Sequence, residues 1–104
     1  MSDSSHSSDS SRPSKLDPTE VRDALASLPG WALEGDKLVR RFTFPDFKEA
    51  MKFVNRVAES AEIAQHHPDI DIRYSRVRLA LVTHDAGGIS RKDISMARSI
   101  AEMA

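Results

Sequence analysis

Residues 70–82 read Ile-Asp-Ile-Arg-Tyr-Ser-Arg-Val-Arg-Leu-Ala-Leu-Val, and the alternation in this stretch decides the fold. Ile70, Ile72 and Tyr74 alternate with Asp71 and Arg73, and Val77, Leu79 and Leu81 alternate with Arg78, Ala80 and Val82. A period of two marks strands that bury one face. Only Ser75-Arg76 separates the two runs, which predicts a tight hairpin, although neither residue is a favoured type I′ turn former. Upstream, Trp31-Ala32-Leu33 and Leu38 to Phe44 flank Glu34-Gly35-Asp36-Lys37, which predicts a second hairpin.

Three helical segments surround these hairpins, and each opens on a start signal. In the first, Asp17-Pro18-Thr19-Glu20 offers an N-cap, a proline at the first helical position and an acid three residues on. Val21, Ala24, Leu25 and Leu28 then share a face, and Pro29-Gly30 stops the helix. In the second, Asp46 and Glu49 repeat the box ahead of the stripe Phe47, Ala50, Met51, Val54, Val57, Ala58 and Ala61. Phe53 falls off the edge of that stripe, which marks it as a spare apolar group for a second contact. In the third, Ser90 and Asp93 form the box, and Ile94, Ala97, Ala101 and Ala104 line up behind it. Helix, two strands, helix, two strands, helix is the order of an α+β fold: a four-stranded antiparallel sheet with three helices packed on one face. The other sheet face and the sheet edges then need cover, which a homo-oligomer on a two-fold axis supplies, with edge strands pairing.

Composition bounds the rest. The chain has 104 residues, room for one domain. Eight of the first fourteen residues are serine, and no apolar residue follows Met1 until Leu16. Residues 1–15 are therefore expected to form a disordered tail that is no signal peptide, and residues 16–104 the domain. A net charge of −1, from 15 basic and 16 acidic residues, gives no global pull toward nucleic acid or anionic lipid. No basic patch is visible along the chain. With no apolar run long enough for a membrane span and no cysteine, the expectation is a soluble cytoplasmic protein without disulfides or thiolate chemistry.

The chemistry-bearing residues gather at element ends. His66-His67-Pro68 follows the second helix, where the proline biases His67 to an extended conformation. His84 follows the last strand, just before Asp85-Ala86-Gly87-Gly88. Glu62 lies one helical turn before His66, on the same face by the i, i+4 rule. Each has a purely structural reading as well: the histidine pair complements a helix C-terminus, His84 ends a strand, Glu62 is a solvated helix residue, and Asp93 is a capping residue. A metal site is the rival functional reading, but no HxH or HxxxH spacing exists among His66, His67 and His84, the fourth histidine lies in the tail, and no cysteine is available. Nucleophile elbows and phosphate-binding glycine loops are absent. Imidazole general acid–base chemistry, suited to neutral pH, remains.

Glu62, His66-His67-Pro68, Tyr74, His84 and Asp93, spread over 32 positions, match the motif of the pterin-4a-carbinolamine dehydratase family at every defined position. Leu28-Pro29-Gly30-Trp31 and Arg41-Phe42-Thr43-Phe44 with Asp46-Phe47 resemble that family's N-terminal half, so the resemblance covers residues 16–104. It implies a sheet shared between subunits in dimers or tetramers. It also implies dehydration of 4a-hydroxytetrahydropterin to quinonoid dihydropterin, in tetrahydrobiopterin recycling for aromatic amino acid hydroxylases. No metal or organic cofactor is implied. By position, His66 and His84 resemble the acid–base pair, His67 a substrate-contacting residue, and Glu62 and Asp93 supports for the imidazoles, with Pro68 and Gln65 beside them. Two positions depart from the pattern: Ile70 stands where many relatives have tryptophan, and Gln65 where relatives often have Asp or Asn. Both bear on substrate affinity more than on the reaction. Animal members also serve as dimerisation cofactors of a homeodomain transcription factor, so the alternative function is a non-catalytic binding module.

Overall fold

The computed structural model describes residues 14–104; of the expected 1–15 tail, only Ser14 and Lys15 fall among them. The elements run α1 (Pro18–Leu25), β1 (Ala32–Glu34), β2 (Lys37–Thr43), α2 (Phe47–Ala64), β3 (Asp69–Arg73), β4 (Arg76–Leu81), a short 3-10 turn (His84–Ala86) and α3 (Arg91–Met103). This is the expected α+β order. One antiparallel sheet has the strand order β1-β2-β4-β3, so β1 and β3 are its edges.

Register turns the sequence alternation into two unlike faces. Leu38 pairs with Leu81, Phe42 with Val77, and Ile70 with Leu79. These residues point toward the helices and join one apolar core with Val21, Phe53, Val54, Val57, Ile94, Ala97 and Ile100. The opposite face is polar apart from Val39 and Ala80, which are buried. Arg41 stands directly across from Arg78, and Arg76 across from Arg73. These four arginines, with Thr43 and Asp71, line a cavity of about 290 Å³ on the open face. Linear composition concealed this basic patch, because its members come from three strands. Glu34 offsets part of it, 2.8 Å from Arg41 Nη1 and 3.6 Å from Arg78 Nη2.

Several local expectations need correction. Phe53 is not peripheral: it is 0 % exposed, with ring centroids 4.7 Å from Phe42 and 5.1 Å from Phe44. The buried stripe of α2 is Ala50, Phe53, Val54, Val57 and Ala61, while Phe47 and Ala58 are exposed. Phe47 instead stacks on Tyr74, with centroids 6.4 Å apart. Phe53 wins because the aromatic cluster from β2 sits above it, so large rings outweigh the alanines in setting the helix's rotation. On α3 the same holds for Met96 and Ile100, which are buried while Ala104 is exposed. The second hairpin turns at Tyr74-Ser75 rather than Ser75-Arg76, since Arg73 pairs with Arg76 and Tyr74 takes a left-handed φ of 54°. β2 spans Lys37–Thr43, one residue earlier than expected, and α1 ends at Leu25, leaving Leu28 buried beyond it.

The caps largely follow the sequence. Asp17 and Glu20 form a reciprocal capping box, as do Ser90 and Asp93. At α2 half a box is present: the Asp46 side chain accepts from the Glu49 backbone N–H at 2.8 Å.

Candidate active site

The C-terminus of α2 sets the position of His66 and His67. Gln65 adopts left-handed φ 53° and ψ 42°. His66 N–H then reaches back to the Ala61 carbonyl at 3.1 Å, and Gln65 N–H to the Glu62 carbonyl at 3.3 Å. This pair of bonds is a Schellman closure, usually made with glycine at the left-handed position. Gln65 secures it with a side-chain bond of 2.7 Å from Nε2 to the Glu62 carbonyl. Pro68, buried, stands three residues after Gln65 and carries the chain into β3.

This left-handed turn re-sorts the carboxylates. The Glu62 carboxylate pairs with His67, not His66: its Oε2 lies 2.6 Å from His67 Nε2. The i, i+4 rule fails here because the helix ends at Ala64, two residues before His66. His66 turns inward to Asp93, with Nε2 2.6 Å from Oδ1. Asp93 is 0 % exposed, and its other oxygen, Oδ2, accepts from Thr83 Oγ1 at 2.8 Å and from Ser90 N–H at 2.9 Å. The capping role and the histidine-supporting role of Asp93 are thus fulfilled together, one by each carboxylate oxygen.

His84 comes to the same place from the end of β4. A bridge between Thr83 and Gly88 closes the loop, with Thr83 N–H to Gly88 O at 2.9 Å. Gly87, at a left-handed φ of 76°, completes the turn after His84–Ala86. The His84 ring is exposed, and no hydrogen bond to it is found among the described residues.

Gln65, His66, His67, Thr83, His84 and Lys92 line one cavity of about 330 Å³, with Val82 and Asp85 at its wall. That is near the lower end of ordinary small-ligand pockets, about 300–1,000 Å³. The structure therefore brings His66, His67 and His84 to one cavity; of their sequence-derived supports Gln65 lines it, while Glu62 and Asp93 meet it through His67 and His66. Four lining residues, Val82, Thr83, Asp85 and Lys92, were not among the sequence-derived site residues. The capping box that fixes the start of α3 carried the signal, since it sets Lys92 in the first turn beside the histidines. Among the described residues, no three His, Cys, Asp or Glu side chains converge in a metal-holding group. No helix among them is long and apolar enough to cross a membrane.

The sequence model of the family described as Pterin 4 alpha carbinolamine dehydratase matches residues 14–103. The chain belongs to that family. A pterin-4-alpha-carbinolamine dehydratase relative, so named, from Thermomicrobium roseum is 57 % identical over 90 residues, covering 86 % of this chain and 97 % of its own. One from Chloroflexus aurantiacus is 52 % identical over 89 residues, covering 86 % of this chain and 96 % of its own. Among solved structures, a transcriptional coactivator/pterin dehydratase from Brucella melitensis superposes with a TM-score of 0.83 at 37 % identity, covering 86 % of this chain and 98 % of that one. A pterin dehydratase-like protein identified as a RuBisCO assembly factor in the alpha-carboxysome shares the fold, with a TM-score of 0.60 at 21 % identity over 71 % of this chain and 86 % of that one.

Proposed function

We propose that this chain dehydrates 4a-hydroxytetrahydropterin to quinonoid dihydropterin by histidine general acid–base catalysis. The observation that carries the reading is the convergence of His66, His67 and His84 on one cavity in a member of the dehydratase family. In the reaction the C4a–O bond breaks, a proton joins the departing hydroxyl to release water, and a ring nitrogen gives up its proton as its electron pair forms the new C=N bond. A donor at oxygen and an acceptor at nitrogen are each typically worth ~10²–10⁴-fold. His66 and His84 share these two tasks, and His67, held by Glu62, contacts the substrate. Pro68 and Gln65 fix the chain on which the pair is mounted. Two imidazoles fill both proton-transfer roles, so the reaction needs no metal or organic cofactor.

The same reading includes assembly and setting. β3 is an outer strand with exposed residues, and β1 is the other edge, which supports a homodimer or tetramer formed by edge pairing. The active site then lies within one subunit, since β4 connects the hairpin after His67 to His84. The enzyme acts in the cytoplasm, in tetrahydropterin recycling for an aromatic amino acid hydroxylase. A second role as a binding module draws support from the Brucella protein, whose description joins coactivator to dehydratase. The discriminating test is a dehydration assay of the full chain after exhaustive chelation. Turnover unaffected by EDTA is expected. Absence of turnover leaves only the binding module, and loss restored by zinc revives a metal mechanism.

A further inference from the structure

Thr83 is a neighbour of His84 in sequence but of His66 in function. Its side chain is buried, and its hydroxyl meets the side chains of Ser90 and Asp93. The single hydroxyl proton of Thr83 goes to Asp93 Oδ2, 2.8 Å away. The 2.7 Å contact between Thr83 Oγ1 and Ser90 Oγ is therefore donated by Ser90. Ser90 Oγ in turn accepts from Lys92 N–H at 3.2 Å. One directed chain results, running from the α3 backbone through Ser90 and Thr83 to the carboxylate. An ionised carboxylate only accepts, so its remaining short contact, Asp93 Oδ1 to His66 Nε2 at 2.6 Å, requires the hydrogen on Nε2.

The capping box alone does not account for this. It needs only the Ser90 N–H bond to Oδ2. With Ser90 N–H as the one donor left on Oδ2, the carboxylate can swing about that bond and carry Oδ1 away from His66 Nε2, and a ring without a fixed acceptor populates both tautomers. We infer that Thr83 is a positioning residue: by locking the rotation of Asp93 it holds His66 as the Nε2–H tautomer, leaving Nδ1 as the one ring atom that exchanges a proton with the pterin. This rests on the dehydratase reading for its chemistry, but not for its tautomer.

Two readouts on the full chain test it. In long-range ¹H–¹⁵N spectra at a pH where the ring is neutral, His66 should show the pure Nε2–H pattern. Thr83→Val, nearly isosteric, should mix the tautomers and lower kcat about tenfold, a fraction of the ~10²–10⁴ of an acid–base group, with KM little changed. Thr83→Ser, which returns the hydroxyl, should restore both. If Thr83→Val does not fold, Ser90→Ala, which removes the hydroxyl that orients Thr83 together with the cap on Lys92 N–H, should shift the tautomer in the same direction. A pure Nε2–H pattern with wild-type kcat in Thr83→Val, or no recovery in Thr83→Ser, overturns the inference. A wild-type chain without dehydratase activity whose His66 tautomer still follows Thr83 would sink the reaction and leave the positioning intact.

Discussion

His66 and Asp93 lie 27 residues apart in sequence, yet His66 Nε2 is 2.6 Å from Asp93 Oδ1. The contact joins the C-terminus of α2 to the first turn of α3 and makes one carboxylate serve both fold and site. Asp93→Ala removes the acceptor for Ser90 N–H, the Thr83 hydroxyl and His66 Nε2–H at once. Each buried donor left unpaired costs ~1–3 kcal/mol, the Ser90 N–H bond of the capping box among them. The variant should lose ~3 kcal/mol or more, lowering Tm by over ~10 °C at the ~4–8 °C per kcal/mol of so small a domain. A thermal melt measures this; a fall of less than ~5 °C would show that Asp93 is not the keystone of that corner.

Phe53 tests the corrected core. With Phe42 and Phe44 packed on its ring and no exposed surface, Phe53→Ala should cost ~3–5 kcal/mol. Had Phe53 been a peripheral oligomer contact, the same change would reduce assembly and leave the folded subunit stable. Urea denaturation with light scattering on the same samples separates the two.

The legibility of this chain follows a physical divide. Alternation at Ile70–Ile72 and Val77–Leu81 exposed the sheet, and Asp17-Pro18 and Ser90–Asp93 exposed two helix starts, because local chemistry controls both. The spacing of Glu62, His66, His67, His84 and Asp93 also picked out residues that the fold gathers into one corner. Pairings within the site were not legible. Which carboxylate serves which histidine depends on the left-handed Gln65, a conformation no local glycine announced. The rotation of α2 depended on rings arriving from β2, and the arginine cluster on the register of three strands. These are tertiary facts, invisible to any window of one element.

The open sheet face carries its own pH signature. The hydrogen bond from Arg41 holds the Glu34 carboxyl below its ordinary value of 4.5, and the same pair raises Arg41 above its own. A depressed carboxylate contributes stability that is complete above the unfolded value and is lost as pH falls through the lower folded one. The pair is solvent-exposed, so the effect is small. Melting temperatures of wild type and Glu34→Gln should differ most at neutral pH, with wild type higher, and converge in acid below 4.5. A difference that grows with acidification would contradict the pairing of Glu34 with Arg41 and Arg78.

The central claim, that His66 and His84 perform the proton transfers of pterin dehydration, is tested most directly by the rate at which purified protein consumes 4a-hydroxytetrahydropterin. Wild-type chain should accelerate the loss of water well above the uncatalysed rate. His66→Ala and His84→Ala should each be slower by roughly 10²-fold or more while remaining folded by circular dichroism. Either variant turning over at the wild-type rate would contradict the account.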